Sequence, residues 1–595
     1  MATTSTRYYR NGTTLFLSFF RRQPPKLILS LLLMVLSSVF SLIPAILVGA
    51  ALDELYSGGM SATIYLYVGG IVLSGVLFYV ISFLGLYTYV TLGFSFERDI
   101  RQEYFDRIQS HSLTFHDENN SSKLLSMGMT EISQMRQGVM PASRQILNNI
   151  FSVIFITSSI LTLTDVNKAA VTLVGFVIYY ILAIYQAKRI IPVRIQLANT
   201  VGQLTEESQE IFRGIEIVRS LRSGIREIMR FRKTSEKYAA LGKKEGQMAA
   251  FYLPNLAIIL LTTSLFGWTL YDVTQGLYTA GTVIQVLGLL LTLQLSSMMM
   301  PQMFLLLNAA LTNSNRIWEK MNWVDPQPDP VIEEVPQVDW KGELRFEDVW
   351  FSYTQDEKWA LKGIDLSIAP GSKVAVIGGP GSGKSTLLKL LLQLYLPQKG
   401  RITISGVDFR DLPPSEIRKH VSRVEQEIFL FSGKIRDNIA FARPDATDEE
   451  ILEAAEAAQA MDFISELPNG LDTVIGERGV NLSGGQRQRL AIARAILADP
   501  DILLLDDSAS ALDSRTEELL RRALENLSAN RLTITVTQRL NTLIQADLII
   551  LLRKGEVIGL GRHEELLQRS PEYQRIFELL PESERLLAKG GVIHG

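Results

Sequence analysis

Six apolar stretches, each long enough to cross a lipid bilayer, decide what this chain can become. A hydrocarbon core about 30 Å thick takes roughly 20 helical residues to span, because backbone groups in lipid must hydrogen-bond within their own segment. Residues 27–48, 64–92, 146–163, 169–187, 253–271 and 283–307 meet that demand. With 595 residues, 47% of them hydrophobic, the chain divides into a lipid-embedded part and a water-soluble part. The 59 Lys and Arg nearly cancel the 62 Asp and Glu, so nothing in the net charge of -3 calls for a nucleic-acid partner. The chain has no cysteine, which excludes disulfides, thiolate metal sites and cysteine nucleophiles.

Charge is unevenly spread between the spans. Residues 49–62 and 272–282 contain no Lys or Arg, and the turn 164–168 holds only Lys168. The connection 93–145 carries Arg98, Arg101, Arg107, Lys123, Arg136 and Arg144. The connection 188–252 carries Arg213, Arg219, Arg222, Arg226, Arg230, Arg232 and Lys233. The positive-inside bias therefore predicts a multi-pass protein of the plasma (cell inner) membrane, with both long loops and both termini in the cytosol. The first 26 residues, with Arg7, Arg10, Arg21, Arg22 and Lys26, do not read as a cleaved signal peptide.

The spacing of Leu204, Ile211, Ile215, Val218 and Leu221 predicts that the long loops continue the spans as helices into the cytosol. One bend in each loop is expected to touch another domain, and the remaining basic residues read as solvated faces. In the sixth span, Met298, Met299, Met300 and Met303 flank Pro301 and suit either an adaptable lining or plain packing. Gln294 and Asn308 suit either a cavity or a neighbouring helix.

The apolar pattern stops near Trp323, and Asp325-Pro326-Gln327-Pro328-Asp329-Pro330 reads as extended linker. The expected division is a membrane domain over 1–323, a linker over 324–342 and a soluble domain over 343–595. In the last, short apolar runs alternate with helical stretches, the pattern of an α/β fold on a largely parallel sheet.

The strand predicted over 373–377 runs into Gly378-Gly379-Pro380-Gly381-Ser382-Gly383-Lys384-Ser385-Thr386 and then a helix. Strand, glycine-rich loop and helix make a phosphate-binding P-loop: the glycines let backbone N–H groups surround phosphate oxygens, and the helix start favours negative charge. Lys384 is expected on the β and γ phosphates of ATP and the Ser385 hydroxyl on Mg²⁺. The run 501–507 ends in Asp506 and Asp507, and its four apolar residues fit a strand buried on both faces with its acids at the ligand-binding edge. Asp506 is expected to hold Mg²⁺ through water. The strand predicted over 532–537 delivers Gln538 to the same edge.

With Leu482-Ser483-Gly484-Gly485-Gln486 and the RQRLAIARAIL that follows, the chain resembles the ATP-binding cassette (ABC) transporters, specifically exporters in which a six-span membrane half precedes the nucleotide-binding half. The resemblance covers nearly the whole chain. It implies that Ser483, Gly484, Gly485 and Gln486 contact ATP held by a second subunit. Phe351-Ser352-Tyr353 resembles the stretch whose Tyr stacks on adenine, with Trp350 a less well spaced substitute. Val424-Glu425-Gln426 resembles the Q-loop, making Gln426 a Mg²⁺ ligand, and Ser510-Ala511-Leu512-Asp513 the D-loop. Gly476-Glu477-Arg478-Gly479 looks like a loop that contacts transmembrane helices.

The chain departs from the family at two positions. Asp507 stands where an efficient family ATPase carries Glu, and Gln538 where it carries His. One methylene fewer withdraws the carboxylate by about 1.5 Å, when a misplacement near 1 Å can cost on the order of 100-fold in rate. Gln538 can donate a hydrogen bond but cannot carry positive charge. Two such changes at one γ-phosphate point to a degenerate site that binds ATP and turns it over slowly.

The signature motif is intact and serves the opposite site. The expected assembly is thus a heterodimer with a different half-transporter, exporting a small-molecule, lipid or peptide substrate through the lipid bilayer. Two alternatives stay open: a slow homodimeric exporter, and a regulatory membrane protein that nucleotide gates without pumping.

Overall fold

The computed structural model describes residues 9–250, 253–325, 334–354, 358–425, 428–476, 481–506, 522–523, 528 and 531–578. They form two compact units, one of residues 1–110 with 119–323 and one of 111–118 with 324–595. Of the predicted linker, residues 326–333 lie outside the described residues.

Among the described residues, the membrane unit has six helical segments long and apolar enough to span a bilayer: Pro24–Gly58, Ala62–Ser110, Ser121–Leu163, Val166–Arg213, Gly224–Thr274 and Ala280–Met321. At 1.5 Å per residue the single helices Ala62–Ser110 and Val166–Arg213 are about 70 Å long, more than twice a hydrocarbon core, so most of each long loop continues as helix. Leu66, Val72, Tyr79 and Phe83 are exposed along the second segment, as suits a surface facing lipid. Ile156, Tyr179, Leu289, Leu290 and Met300 are fully buried in the core between segments.

Two spans that read as continuous are broken, and both breaks trace to proline. The first divides into Pro24–Phe40 and Ile43–Gly58, with Pro44 in the opening turn of the second helix. The sixth divides into Ala280–Ser297 and Met300–Met321, with Pro301 in the opening turn. Pro301 has no N–H to offer the Ser297 carbonyl one turn back. The Tyr179 hydroxyl donates to that carbonyl instead, and Gln145 Nε2 donates to the Ser296 carbonyl at 3.3 Å. At this break Met298 and Met299 are exposed, whereas Met300 and Met303 pack inside. Gln294 accepts from Thr262 at 3.4 Å, and Asn308 is exposed.

Several basic residues are structural rather than solvated. The buried Glu97 carboxylate accepts from Arg101 Nη2 at 2.6 Å, Arg136 Nε at 2.7 Å and Ser133 Oγ at 2.5 Å. That cluster ties the second segment to the third. Lys168, only 1% exposed, bonds Asp165 and Asp272 at 2.6 Å each and lies 4.9 Å from the Trp268 ring.

The nucleotide unit carries the strands β1 (Leu344–Phe351), β2 (Leu361–Ile368), β3 (Lys373–Ile377), β4 (Lys399–Ile404), β5 (Val407–Asp408) and β6 (Val421–Val424). It continues with β7 (Gly433–Lys434), β8 (Val474–Ile475), β9 (Ile502–Asp506), β10 (Leu532–Val536), β11 (Leu548–Arg553) and β12 (Glu556–Gly561). A six-stranded sheet in the order β12-β11-β3-β10-β9-β6 is parallel except for the edge strand β12. It matches the parallel-sheet reading. The antiparallel sheet β2-β1-β4-β5 is an addition the apolar runs did not announce. Ile502, Leu503 and Leu504 are fully buried, the mark of a strand covered on both faces.

Lys168→Met is expected to leave Asp165 and Asp272 without their shared cation and to destabilise the membrane unit by about 3–5 kcal/mol. The check is the unfolding midpoint in detergent, which should recover when all three residues are made apolar.

Candidate functional site

Parallel pairing sets the site. β10 lies between β3 and β9 with Val536 opposite both Val376 and Asp506, so the carboxyl ends of all three strands share one edge. The P-loop leaves β3 there, Asp506 ends β9, and Gln538 follows β10 in an exposed position. β6 pairs with β9 in parallel, so Glu425 also emerges at this edge. Gln426, Asp507 and Asp513 lie outside the described residues, as do residues 477–479 of the loop expected to touch transmembrane helices.

The P-loop closes on itself. Lys384 Nζ donates to the carbonyls of Gly378 at 2.9 Å and Gly379 at 3.0 Å. Gly383 has φ +105 and caps the helix Lys384–Leu391, a left-handed conformation that other residues rarely adopt. A Cβ there would also sit 2.7 Å from the Leu361 side chain. At Gly379 and Gly381 a Cβ would meet nothing within 4 Å, which leaves the outer wall of the loop open to a ligand. Ser382 Oγ is buried without a hydrogen-bond partner, an acceptor and donor that a phosphate group would satisfy. These features fit a nucleoside triphosphate.

The Tyr353 ring is 43% exposed, and its hydroxyl lies 3.1 Å from Thr386 Oγ1 at the end of the P-loop. Phe351 and Tyr395 hold it edge-on at 4.9 and 5.3 Å, and Lys389 Nζ lies 5.2 Å from its centroid. An exposed, buttressed ring beside the phosphate loop suits stacking on a base. Trp350 is committed elsewhere: its indole donates to Asp348 at 2.7 Å and meets Trp359 at 5.4 Å.

Ser483 begins the helix Gly484–Ala498 through a reciprocal cap, accepting from the Gln486 N–H at 3.3 Å while the Gln486 side chain accepts from the Ser483 N–H at 2.8 Å. Ser483 and Gly484 stand exposed at this helix start, above buried Leu482 and Gly485. The helix packs into a core of its own with Leu490, Ile492 and Ala493, separate from the core beneath the P-loop helix.

Two features remain: the first gives residues to the bend of the first long loop that was expected to touch another domain, and the second escaped sequence reasoning. Residues 111–118, from the first long loop, belong to the nucleotide unit, where Tyr395 donates its hydroxyl to the Asp117 carboxylate and Leu113 packs on the main core. Burial, reinforced by Asp117, pushes the Tyr395 phenol above its ordinary range and keeps it a donor. The other is Arg423 on β6, whose Nη2 lies 2.6 Å from Asp506 Oδ2. Of the three expected Mg²⁺ ligands, Ser385 sits in the first turn of the P-loop helix, Gln426 is not described, and Asp506 is engaged by Arg423. Among the described residues the donor set therefore fits a divalent cation incompletely, because the Asp506 carboxylate is already engaged.

Fold and site define a multi-pass membrane protein joined to a P-loop nucleotide-binding domain. Residues 27–297 match the family model of the ABC transporter transmembrane region, and residues 361–510 match that of the ABC transporter. The chain is 33% identical over 502 residues to an ATP-dependent lipid A-core flippase of Desulfotalea psychrophila, covering 83% of this chain and 86% of the relative. A second flippase of that name, from Shewanella denitrificans, is 31% identical over 552 residues, 91% of this chain and 90% of its own. Among solved structures, a bacterial Atm1-family ABC exporter with ATP bound superposes with a TM-score of 0.83 at 25% identity, covering 95% of this chain and 99% of that one. The chain belongs to the ABC transporter family, as an exporter-type half-transporter with its membrane region fused to its ATPase domain.

Tyr353→Ala is expected to weaken ATP binding about tenfold, the loss of one base–aromatic stack, while Trp350→Ala leaves it unchanged. Equilibrium binding of radiolabelled ATP to the purified chain checks both.

Proposed function

We propose that this chain is one subunit of a heterodimeric, ATP-driven exporter of the plasma (cell inner) membrane, with both termini in the cytosol. It moves a hydrophobic, amphipathic or peptide-like substrate out of the cytosol. Its own ATP site is degenerate, and its signature segment completes the hydrolytic site of a different half-transporter. The observation that carries this reading is Gln538 at the carboxyl edge of the sheet, beside the strand ending in Asp506, in a chain whose signature cap from Ser483 to Gln486 is complete.

A second chain has an independent argument. Phe212, Ile217, Leu221, Ile225, Ile228 and Met229 are all more than 60% exposed around the helix Ile215–Ser220, the bend of the second long loop. An apolar tip of this kind, beyond the spans and flanked by Arg219, Arg222 and Arg226, suits burial against a partner subunit rather than water. The lipid flippases among the relatives and the exposed Met298 and Met299 at the break in the sixth span support this substrate class.

In this reading Lys384 and the P-loop N–H groups hold the phosphates, Tyr353 supports adenine and Gln538 donates to the γ-phosphate. When bound, ATP bridges the two subunits and carries the phosphoanhydride whose cleavage resets the transporter. Asp507, too short to position water well, leaves ATP in place as a clamp. The partner's Glu and His cleave the other ATP against Ser483, Gly484, Gly485 and Gln486.

The test is copurification of the native complex and ATPase assays of single-site variants. Asp507→Asn should change turnover less than about threefold, and Gln replacing the partner's catalytic Glu should lower it by about 100-fold or more. Equal losses would remove the degenerate-site reading. A fully active homodimer would remove the heterodimer, and gated ionic current without substrate-stimulated turnover would favour a regulatory membrane protein.

A further inference from the structure

Arg423 is a permanently charged side chain in a place that suits an apolar one. It is the third residue of β6, an edge strand four residues long, and pairs in register with Leu504 while Val421 and Val424 on either side are buried. Its side chain is only 14% exposed, and that of its partner Asp506 only 10%. Nη2 and Oδ2 are 2.6 Å apart, while Nη1 lies 3.5 Å from Glu425 Oε1 and Nε is buried without a hydrogen bond. At this separation the guanidinium donates a charge-assisted hydrogen bond to the carboxylate.

We propose that Arg423 serves as a built-in cation of this ATP site: by holding the Asp506 carboxylate it displaces the divalent ion from its protein anchor, so the site retains ATP with little dependence on Mg²⁺. The proposal rests on the ATP-site reading given under Proposed function.

Two arguments support it. Asp506 at the end of β9 is the carboxylate expected to anchor the metal from the protein side, and its charge is already balanced by Arg423. A dication brought near it would face the guanidinium across a few ångströms of poorly solvated space, where like charges repel far more strongly than in water. The arrangement also favours binding over turnover. Lys384 and the P-loop N–H groups remain free to hold the phosphates, whereas the metal that would align the attacking and leaving groups loses one of its protein anchors. With Gln538 at this edge, and with the short side chain of Asp507 read from sequence, it lowers hydrolysis and keeps nucleotide in place.

The experiment measures equilibrium binding of radiolabelled ATP to the purified full-length chain and to Arg423→Leu, in Mg²⁺ and in EDTA. Mn²⁺ binding in the presence of ATP is followed in parallel by electron paramagnetic resonance. Removing the metal should weaken ATP binding to the wild-type chain less than about threefold and to Arg423→Leu by about tenfold or more. Mn²⁺ should bind the Arg423→Leu complex about tenfold more tightly than the wild-type complex. Equal metal dependence in the two proteins, or equal Mn²⁺ affinity, overturns the proposal. Should Arg423→Leu fail to fold, the wild-type chain decides alone: a loss of more than about tenfold in EDTA overturns the proposal, and a loss under threefold sustains it. ATP binding that depends strongly on metal removes the role of Arg423 and leaves the ATP site standing. No ATP binding under either condition removes both.

Discussion

The pairing of β10 with β3 on one side and β9 on the other is the interaction on which the chemistry of this chain depends. Because all three strands run parallel, their carboxyl ends coincide, and whatever follows each strand arrives at one edge. The P-loop, Asp506 and Gln538 converge there from positions spread between residues 378 and 538. A slip of one residue would move Asp506 away from Val536 along the edge, so the pairing register sets which groups meet in the site.

In the membrane unit the governing constraint is the need of every backbone group for a partner. Long helices meet it over most of the length. Where Pro301 interrupts the sixth span, Tyr179 and Gln145 supply the missing donors from other segments, and the break becomes a junction of three spans. Buried charge obeys a similar rule: Lys168 and Glu97 sit inside only because carboxylates in the first case, and guanidinium groups with a serine in the second, surround them. These clusters bind helices that are distant in sequence. They give the unit polar cross-links just beyond the apolar runs 64–92 and 146–163.

Much of this was legible from the residues. Six apolar runs, a glycine-rich loop between strand and helix, and a buried apolar strand ending in acids are local patterns, each dictated by period or turn chemistry over fewer than thirty residues. The rest depended on contacts that local pattern does not carry. Proline is welcome in a first helical turn, so Pro44 and Pro301 sit in runs that look continuous. Lys168 reads as a loop lysine until Asp272, 104 positions away, is brought beside it. Arg423 is one basic residue in a four-residue strand, and Asp506, 83 positions on, gives it meaning. Segment 111–118 announces no strand or motif, and only Tyr395 and Leu113 reveal which unit it joins. At Asp507 the sequence remains the source, through the length of one side chain.

On the proposed reading, this chain holds one nucleotide and helps a partner cleave another. The most direct measurement is photolabelling of the native complex during turnover with azido-ATP radiolabelled on either the α or the γ phosphate. Labelling of this chain by both forms in equal amount, with the partner retaining only the α label, is the predicted result. Loss of the γ label from this chain as fast as from its partner would contradict the division of labour between the two sites.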